Sequence, residues 1–392
     1  MLAGMLRRRL SSRRRQEEPE EPGIPDDEFV QAAYRAILGR EADPTGLTHY
    51  VGYLANGMPR EEVMFELARS AEHKAILESG LPDWSSLRLP GNRALDDLTR
   101  VRPERYRLDR DDAGREMLVF EVEGDDDFDW LEDQIRRTGY YEHDGVWTMG
   151  IDNDKRVMAE LVAGFRPRRV LEIGCASGAV LSCLAERDID VVGVDVSELA
   201  RSGAPEIVRD RIVLGDFLEV AVDGHFDAVI GLDVFEHLNP NRLDAYLARI
   251  DQVLDPGGWL IANIPAFGDD PVFGRVHGEY VTDGHQLHRL VQVDDRGYPV
   301  NGHLIWATWQ WWQERIEAIG LHRAVAVEEA LQDRYGDYWR AHYPARGSAF
   351  VFRKGPDYGA EADLAVELRR RPSALLDEFA RPPAPETPSN GQ

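Results

Sequence analysis

The chain has 392 residues, and its 46 Lys and Arg against 71 Asp and Glu give a formal net charge of −25. This length is typical of two domains, and so acidic a chain is a poor candidate for binding the nucleic-acid backbone, which needs a basic surface. No apolar run approaches the ~18 residues of a membrane-spanning helix, and the only two cysteines, Cys175 and Cys183, exclude a disulfide scaffold and fit the reducing cytoplasm.

The first part of the chain changes character near residue 27. Residues 1–26 are rich in Arg, then in Glu and Pro, and this pattern predicts a disordered tail. Apolar residues then recur at helical spacing, and they predict a small helical domain over 27–82. That domain resembles a module of bacterial surface-glycan enzymes that is similar to phycobilisome linker domains. We take an interaction or positioning role, such as binding a protein partner, as the default for this module, and a contribution to stability alone as the alternative. The resemblance rests on the runs Leu38-Gly39-Arg40 and Asp43-Pro44-Thr45-Gly46-Leu47.

The remaining chain divides into a connection, an α/β domain and a tail. Residues 83–135 mix prolines, an acidic run and short apolar pieces, and we interpret them as a connecting region with some local structure. Strand and helix patterns alternate over 136–355, which favours a parallel α/β sheet. Residues 356–392 contain one possible helix, Ala360 to Arg370, before a proline-rich end, and we expect a flexible tail.

A glycine-rich turn joins the first strand of that sheet to a helix. A buried strand pattern over 169–173 runs into Gly174-Cys175-Ala176-Ser177-Gly178, and a helical pattern follows over 179–185. Such a turn lets the backbone approach a ligand closely. The spacing is Gly-x-x-x-Gly, whereas dinucleotide-binding turns have Gly-x-Gly-x-x-Gly.

Acidic residues end the next two strands. Asp195 ends the strand 190–195, where a carboxylate can accept hydrogen bonds from both hydroxyls of a ribose. Asp216 follows the strand 212–214, where it can accept from the amino group of an adenine, and Phe217 can line the adenine ring. The pattern predicts an adenosyl ligand at this edge of the sheet.

These segments together resemble the class I S-adenosylmethionine-dependent methyltransferases. The matching motifs are Val-Leu-Glu-Ile-Gly-Cys-Ala-Ser-Gly, Gly-Val-Asp-Val-Ser, Gly-Asp-Phe, Phe-Asp-x-Val-x-x-x-Asp-Val-Phe-Glu-His-Leu and Leu-x-Pro-Gly-Gly. The resemblance implies a seven-stranded Rossmann-like sheet whose last strand, near Ser348 to Arg353, is antiparallel. It also implies donor contacts, which are Glu172, Gly174, Cys175, Ala176 and Gly178 for the methionine part, Asp195 and Val196 for the ribose, Asp216 and Phe217 for the adenine, and Leu232 beside them. We expect the thiol of Cys175 to pack rather than to react.

A cluster of acids and histidines follows the fourth strand. Asp233, Glu236 and His237 can offer two carboxylates and an imidazole to one site, and His303 lies later in the chain. Methyltransferases with an acidic-x-x-Glu-His motif and a later His hold a divalent metal, although their first acid is usually Glu. We therefore interpret these four residues as candidate metal ligands, and His237 and His303 as candidate catalytic bases, with a structural role as the alternative.

Further residues are candidates for covering the site. The stretch 266–300 is rich in Gly, Asp and His, and a loop of this length predicts a cover for the methyl acceptor. Tyr141 and Trp147 precede the first strand, and they are candidates for closing over the donor. Four tryptophans at 306, 309, 311 and 312 indicate core packing more than stacking on a sugar.

The sequence therefore predicts a cytoplasmic enzyme that transfers a methyl group from S-adenosylmethionine to an oxygen or other nucleophile of a small molecule or glycan. The main alternative is a scaffold protein that holds the donor without catalysis. A nicotinamide-dependent oxidoreductase is disfavoured by the glycine spacing. A nucleic-acid methyltransferase is disfavoured by the charge and by the lack of an Asn-Pro-Pro-Tyr type motif after the fourth strand.

Overall fold

The chain folds as two compact units, Met1–Leu89 and Pro90–Gln392. The structure is a computed structural model, and it describes residues 25–38, 40–42, 44–55, 60, 63–64, 67, 96–111, 114–142, 150–277 and 289–379. Of the predicted disordered tail over 1–26, residues 1–24 lie outside these ranges, whereas Asp26 begins a helix. Trp147 and the last residues of the predicted C-terminal tail, 380–392, also lie outside them.

The first unit contains the helices α1 (Asp26–Leu38) and α2 (Pro44–Ala55). Val30 and Tyr34 of α1 are buried in a small apolar cluster against Val63 and Leu67. Acidic side chains in the first turn of α1 stabilise its N-terminus, because the helix dipole places positive charge there.

Strands and helices alternate through most of the second unit. Its strands are β1 (Tyr106–Arg110), β2 (Glu116–Glu121), β3 (Arg169–Ile173), β4 (Asp190–Asp195), β5 (Ile212–Leu214), β6 (Phe226–Leu232), β7 (Leu254–Asn263), β8 (Ala266–Phe267), β9 (Leu290–Val293), β10 (Ala307–Thr308), β11 (Leu321–Arg323) and β12 (Ala349–Lys354). Its helices are α3 (Asp125–Thr138), α4 (Asn153–Gly164), α5 (Ala179–Ala185), α6 (Glu198–Ser202), α7 (Glu206–Arg209), α8 (Pro240–Val253), α9 (Trp309–Glu317), α10 (Val325–His342), α11 (Tyr358–Arg370) and α12 (Ala374–Phe379).

The main sheet has seven strands in the order β11-β12-β7-β6-β3-β4-β5. The pairs among β3 to β7 are parallel, whereas β12 is antiparallel to both of its neighbours, β7 and β11. The predicted seven-stranded Rossmann-like sheet with an antiparallel strand near residues 348–353 is therefore confirmed.

Helices cover both faces of this sheet because its strands are apolar on both sides. Along β6, Ala228 and Ile230 face one core together with α4, α5, α10 and α11, while Val229 faces the other core with α8 and α9. Alternate residues of a strand point to opposite faces, so β6 is buried from both sides. Among the described helices, none is long and apolar enough to cross a lipid bilayer.

A smaller lobe packs beside the main sheet. We call it the side lobe, and it comprises residues 106–142 and 290–304. It contains the antiparallel sheet β1-β2-β9 and the helix α3, and its core includes Phe120, Leu131 and Val291. The prediction of a connecting region over 83–135 is wrong for 106–135, because these residues find their apolar partners in β9, far away in the sequence.

The C-terminal segment is also more ordered than predicted. Helix α11 packs on α10 with Ala365 and Leu368 buried, and Arg334 of α10 donates to the carbonyl oxygen of Leu368 at 3.2 Å. A flexible tail from 356 is therefore wrong for Tyr358–Phe379, because the apolar side of this segment completes the core on one face of the sheet.

Candidate active site

The turn between β3 and α5 takes a backbone shape that favours glycine. Gly174 and Gly178 have φ of 67°, and Ala176, between them, has φ of 44°. A Cβ at Gly174 would lie 2.6 Å from Cγ2 of Val234, so this position has no room for a side chain. The turn therefore passes close under β6 and leaves backbone groups facing the space above the sheet edge.

Asp195 holds this turn in place from the end of β4. One carboxylate oxygen accepts a hydrogen bond from the backbone N–H of Ala176 at 2.8 Å, and the other accepts from the N–H of Ser197 at 2.9 Å. Burial raises the pKa of the Asp195 carboxyl, and these backbone hydrogen bonds act in the opposite direction. Each oxygen keeps a lone pair that a ligand hydroxyl can use.

The segment before α4 closes on the same region. The short 3₁₀ helix Tyr140–Glu142 places Glu142 beside the β4 end, where its carboxylate accepts from the hydroxyl of Ser197 at 3.3 Å and from the N–H of Glu198 at 3.1 Å. Tyr141 lies in this helix and lines the cavity described below. This placement agrees with the expected position of Tyr141 at the donor side.

Asp216 after β5 already has partners for both carboxylate oxygens. It accepts from the hydroxyl of Tyr246 at 2.6 Å and from the N–H of Leu218 at 2.9 Å, and it pairs with Arg242 at 2.8 Å. Burial acts to raise the pKa of Asp216, but these hydrogen bonds and the Arg242 charge outweigh it and lower the pKa. Phe217 is buried, with its ring 6.5 Å from that of Tyr246. Its contact with an adenine stays a prediction.

These elements surround a cavity of about 770 Å³ at the carboxyl ends of the strands. This volume is within the usual range for small-molecule sites, roughly 300–1,000 Å³. Gly178 caps the N-terminus of α5 and is absent from the lining. The predicted donor contacts that line the cavity are Glu172, Gly174, Cys175, Ala176, Asp195, Val196, Asp216, Phe217 and Leu232.

Glu172 is the most buried acid on the donor side. It lies near the end of β3, only 4% exposed, and its Oε2 has no hydrogen-bond partner within the described part of the chain. Burial, reinforced by the nearby Asp195 charge, raises the pKa of Glu172 to about 8. A buried carboxyl group with an unused oxygen is suited to accepting a hydrogen bond from a ligand.

The histidine cluster lines the same cavity. The Nε2 atoms of His237 and His303 lie 4.0 Å and 3.8 Å from Oε1 of Glu236, and the two imidazole rings are 4.7 Å apart. Glu236 is 1% exposed, and neither carboxylate oxygen has a hydrogen-bond partner among the described residues. Glu236, His237 and His303 each offer one atom that could bind a metal ion, and these three atoms lie within 4.8 Å of one another.

Burial shifts the protonation of all three groups toward neutrality. It raises the pKa of Glu236 well above its ordinary value, and the charge of Asp233 adds to this effect. It lowers the pKa of His237 to about 4 and that of His303 well below its ordinary value. Both imidazoles are therefore neutral at neutral pH, with a nitrogen able to accept a proton or bind a metal.

Asp233, the fourth candidate metal ligand, lies outside this cluster, and its assignment as a ligand stays a prediction. Its carboxylate pairs with Arg346 and accepts a hydrogen bond from the side-chain amide of Asn263 at 2.6 Å. Arg346 also pairs with Asp154 at 2.9 Å. The backbone of Asp233 has φ of 54°, and the turn that it makes leads into the short helix Phe235–His237, from which His237 lines the cavity.

The stretch 266–300 is only partly a loop. It contains β8 and the side-lobe strand β9, and residues 278–288 lie outside the described ranges. Its end and the next residues bring Asn301 and His303 to the cavity wall. Of the four tryptophans, Trp312 is fully buried, as core packing predicts, and Trp306 is 9% exposed.

The motifs identified many residues that line the cavity but missed several others. Sequence reasoning did not assign Tyr140, Glu142, Lys155, Asn301 or Arg346, all of which line the cavity. Tyr140 donates a hydrogen bond to the carbonyl oxygen of Asn301 at 2.7 Å and so joins the two chain segments of the side lobe at the wall. Their distance along the chain left no local pattern by which to find them.

Comparisons with known proteins agree with this geometry. Residues 171–262 match the family model described as a methyltransferase domain, and residues 16–77 match a domain of unknown function, DUF4214. An uncharacterized methyltransferase of Geobacillus kaustophilus is 34% identical over 132 residues, which is 33% of this chain and 60% of that protein. A ubiquinone biosynthesis O-methyltransferase of Bordetella avium is 31% identical over 109 residues, which is 26% of this chain and 44% of that protein.

Among solved structures, an amino pentose methyltransferase from Micromonospora echinaspora is 20% identical, with a TM-score of 0.36, and the match covers 52% of this chain and 91% of that one. The chain thus spans no more than 60% of the length of either curated relative named above. The match to the methyltransferase domain model, over residues 171–262, spans the chain from β3 to β7.

Proposed function

We propose that the protein transfers the methyl group of S-adenosylmethionine to a hydroxyl oxygen of a small molecule or glycan. The observation that carries this proposal is that a single cavity is lined by the β3–α5 turn, by Asp195 and by His237 and His303, and both histidines lie beside the buried Glu236. The donor and the group that activates the acceptor would then share one enclosed space. The matched relative named an O-methyltransferase supports oxygen as the acceptor atom.

The chemistry needs little from the protein on the donor side. The sulfonium is already activated, so the enzyme must align the methyl group with the acceptor and exclude water. A hydroxyl acceptor also loses a proton, which calls for a base or a cation that lowers the pKa of the hydroxyl. A pKa of about 4 makes His237 a weak base at neutral pH.

The cluster fits a divalent metal better than it fits a base. Glu236 has two unpartnered, buried oxygens, and two neutral imidazoles face it. A divalent cation bound by Glu236, His237 and His303 would lower the pKa of the acceptor hydroxyl. These ligands bind metal in their deprotonated forms, so a cation would also remove the cost of ionising the buried Glu236.

Metal content tests this part of the proposal without an acceptor. The full chain, purified and then loaded with Mn²⁺, Co²⁺ or Zn²⁺, should retain about one ion per chain after desalting, as measured by mass spectrometry. The variant His303→Ala should retain far less, while the exposed His225→Ala should match the wild type. Equal retention by His303→Ala and the wild type would remove the metal from the proposal.

Catalysis itself is tested with donor labelled in its methyl group. We expect the wild type to bind S-adenosylhomocysteine and to label a compound in a panel of phenols, sugars and nucleotide sugars. His303→Ala should slow this transfer at least about tenfold and leave product affinity within about twofold. Donor binding with no labelled product in any class would instead favour the scaffold alternative.

Two broader parts of the proposal concern the cell. We place the reaction in the cytoplasm, because Cys175 and Cys183 are both free and buried, which fits a reducing compartment. We propose that the N-terminal unit binds a protein partner, and we expect no nucleic-acid substrate for so acidic a chain. Affinity capture with the isolated chain 1–89 against the chain 90–392 tests the first of these.

A further inference from the structure

A short turn of the side lobe, Val300–Gly302, contacts both imidazoles of the histidine cluster. His303 follows this turn directly, and its backbone N–H donates to the carbonyl oxygen of Val300 at 3.1 Å. The imidazole of His237 is hydrogen-bonded to the backbone of Gly302. The position of one turn therefore governs how both rings are placed, because a hydrogen bond to a ring nitrogen fixes the orientation of an imidazole.

The same turn has a backbone conformation that does not persist unaided. Asn301 has φ of 54°, in the left-handed region that residues other than glycine rarely adopt, and Gly302 after it has φ of 69°. A residue in this region keeps its conformation only where the surrounding structure holds it. The turn therefore needs a partner from outside its own segment.

Tyr140 is that partner, and it belongs to the other chain segment of the side lobe. Its hydroxyl donates to the carbonyl oxygen of Asn301 at 2.7 Å. Its ring packs on Gly302, where an added Cβ would lie 2.9 Å from Cε1 of Tyr140. Burial raises the pKa of Tyr140, and the charge of Glu236 adds to this effect, so the hydroxyl keeps its proton and remains a donor.

We propose that Tyr140 is a positioning residue for the histidine cluster, because its hydroxyl and ring hold the turn Val300–Gly302 in the conformation that keeps the imidazoles of His237 and His303 beside Glu236. Tyr140 acts here through the backbone of the turn and not by contact with the reacting atoms. The inference rests on the proposed function, since it takes these imidazoles as the groups that act on the acceptor hydroxyl, directly or through a metal.

The side lobe contains a matched control for this contact. The hydroxyl of Tyr106 donates to the carbonyl oxygen of Gly297 at 3.1 Å, and a Cβ added at Gly297 would lie 2.7 Å from that hydroxyl. Among the described residues that line the cavity, Tyr140 is included and Tyr106 is not. Tyr140→Phe and Tyr106→Phe therefore remove the same kind of hydrogen bond from the same lobe, and both should lower the melting temperature by similar amounts.

The first measurement needs neither metal nor ligand. NMR spectra of the full chain, labelled with ¹⁵N and ¹³C in its histidines, report the imidazole rings, and His237→Ala and His303→Ala identify the two signals. We expect Tyr140→Phe to shift or broaden both ring signals, because the turn gains freedom, and Tyr106→Phe to leave them unchanged. Unchanged signals in Tyr140→Phe would overturn the proposal, and so would equal changes in the two variants, which would show a purely structural role.

The second measurement is Co²⁺ affinity, followed by the absorbance of the bound ion. Loss of a group that orients metal-binding histidines typically weakens metal about 10- to 100-fold, and we expect a loss in this range for Tyr140→Phe. Tyr106→Phe should stay within about twofold of the wild type. Wild-type Co²⁺ affinity in Tyr140→Phe would overturn the proposal. A wild type that binds no Co²⁺ would remove the metal from the proposed function, and the ring signals would then decide the role of Tyr140.

Donor binding separates this role from a role in holding the donor. Both tyrosine variants should bind S-adenosylhomocysteine within about twofold of the wild type by isothermal titration. A loss of this affinity in Tyr140→Phe with unchanged ring signals would place the residue on the donor side and overturn the proposal. A wild type that does not bind S-adenosylhomocysteine would instead overturn the proposed function, while the ring signals still decide the role of Tyr140.

A second variant covers the case in which Tyr140→Phe does not fold. Gly302→Ala places a Cβ against the ring of Tyr140 and so displaces the turn from the opposite side. It should change the ring signals of His237 and His303 as Tyr140→Phe does. A folded Gly302→Ala variant with wild-type ring signals would contradict the assignment.

Discussion

Asp195 shows how much a single carboxylate contributes to this site. It accepts backbone hydrogen bonds from Ala176 and Ser197, and it therefore fixes the turn after β3 relative to the turn after β4. The remaining lone pairs of its oxygens face the cavity that it lines. The residue is thus both a structural tie and the candidate ribose contact.

Replacing Asp195 separates these two contributions. We expect Asp195→Ala to lower the affinity for S-adenosylhomocysteine at least about tenfold, because it removes both hydroxyl acceptors and loosens the turn. Asp195→Asn keeps one acceptor oxygen and should lose less. Titration calorimetry measures the affinities, and circular dichroism checks that both variants fold. Wild-type affinity in a folded Asp195→Ala variant would exclude Asp195 from the donor site.

Glu172 makes the ligand-free protein sensitive to pH. Its pKa is raised to about 8 in the folded state, compared with an ordinary value of 4.5. The unfolded chain therefore releases this proton at lower pH than the folded chain does. The contribution of Glu172 to stability is complete below pH 4.5 and is lost as pH rises toward 8, by at most about 1.4 kcal/mol per pH unit.

Glu172→Gln should remove this dependence, because the amide stays neutral. We expect the thermal unfolding midpoint of the Gln variant to rise relative to that of the wild type between pH 5 and pH 8. Paired melting curves across this range measure the difference. A difference that stays constant with pH would show that Glu172 ionises normally in the folded protein.

The sequence was informative at residue positions that follow a strand end. Asp195 and Asp216 could be placed because carboxyl ends of parallel strands share one edge of the sheet. The contact between Asp233 and Arg346 could not be foreseen, because Arg346 is 113 residues away and gives no local signal. Lys155 and Arg346 were not recognised as cavity residues from the sequence. Charged side chains outside a motif are normally expected to be exposed to solvent.

At the scale of elements, the β3–α5 turn depends on a missing side chain. Gly174 combines a left-handed φ of 67° with a contact that would bring a Cβ to 2.6 Å from Val234. Its substitution therefore has two separable costs, backbone strain and steric overlap. Backbone strain of this kind costs of order 1–3 kcal/mol, and overpacking costs a similar amount.

Gly174→Ala should destabilise the protein by about 2–4 kcal/mol from these two costs together and should weaken donor binding. Gly114→Ala is the matched control, because Gly114 has φ of 76° with no atom within 4 Å of a Cβ, and it should show the strain alone. Denaturant unfolding measures both variants. The double variant Gly174→Ala with Val234→Ala should recover part of the lost stability. Equal destabilisation by Gly174→Ala and Gly114→Ala would argue against a steric overlap with Val234.

Elements with strong local patterns were predictable, and those that depend on distant partners were not. The five strands β3 to β7 were each marked by an apolar run and a turn motif. Strands β1 and β2 were missed because their apolar residues find their partners only in β9. A helix was expected over Ala360 to Arg370, but its packing on α10 was not, so that segment was assigned to a flexible tail. Local periodicity reports how an element folds, but not what covers it.

At the scale of the whole molecule, the chain consists of two units with separate cores. The residues that line the described cavity all belong to the unit Pro90–Gln392. Donor binding should therefore not require the helices α1 and α2. The match to a domain of unknown function over 16–77 is consistent with a separate role for the first unit.

A chain that begins at residue 90 tests this independence. We expect it to fold, to melt cooperatively and to bind S-adenosylhomocysteine within about twofold of the full-length affinity. Calorimetry on both chains gives the comparison. A loss of affinity greater than about fivefold in a folded truncated chain would show that the first unit contributes to the donor site.

The origin of the cavity walls has a consequence for how such an enzyme can diversify. The glycine turn and Asp195 belong to the α/β sheet, whereas Tyr140 and Asn301 reach the cavity from the side lobe, whose two segments flank strands β3 to β7 in the chain. Replacement of the side lobe would leave β3 to β7 untouched. A lineage could therefore exchange one acceptor for another by inserting or remodelling lobe segments, while inheriting an unaltered donor half.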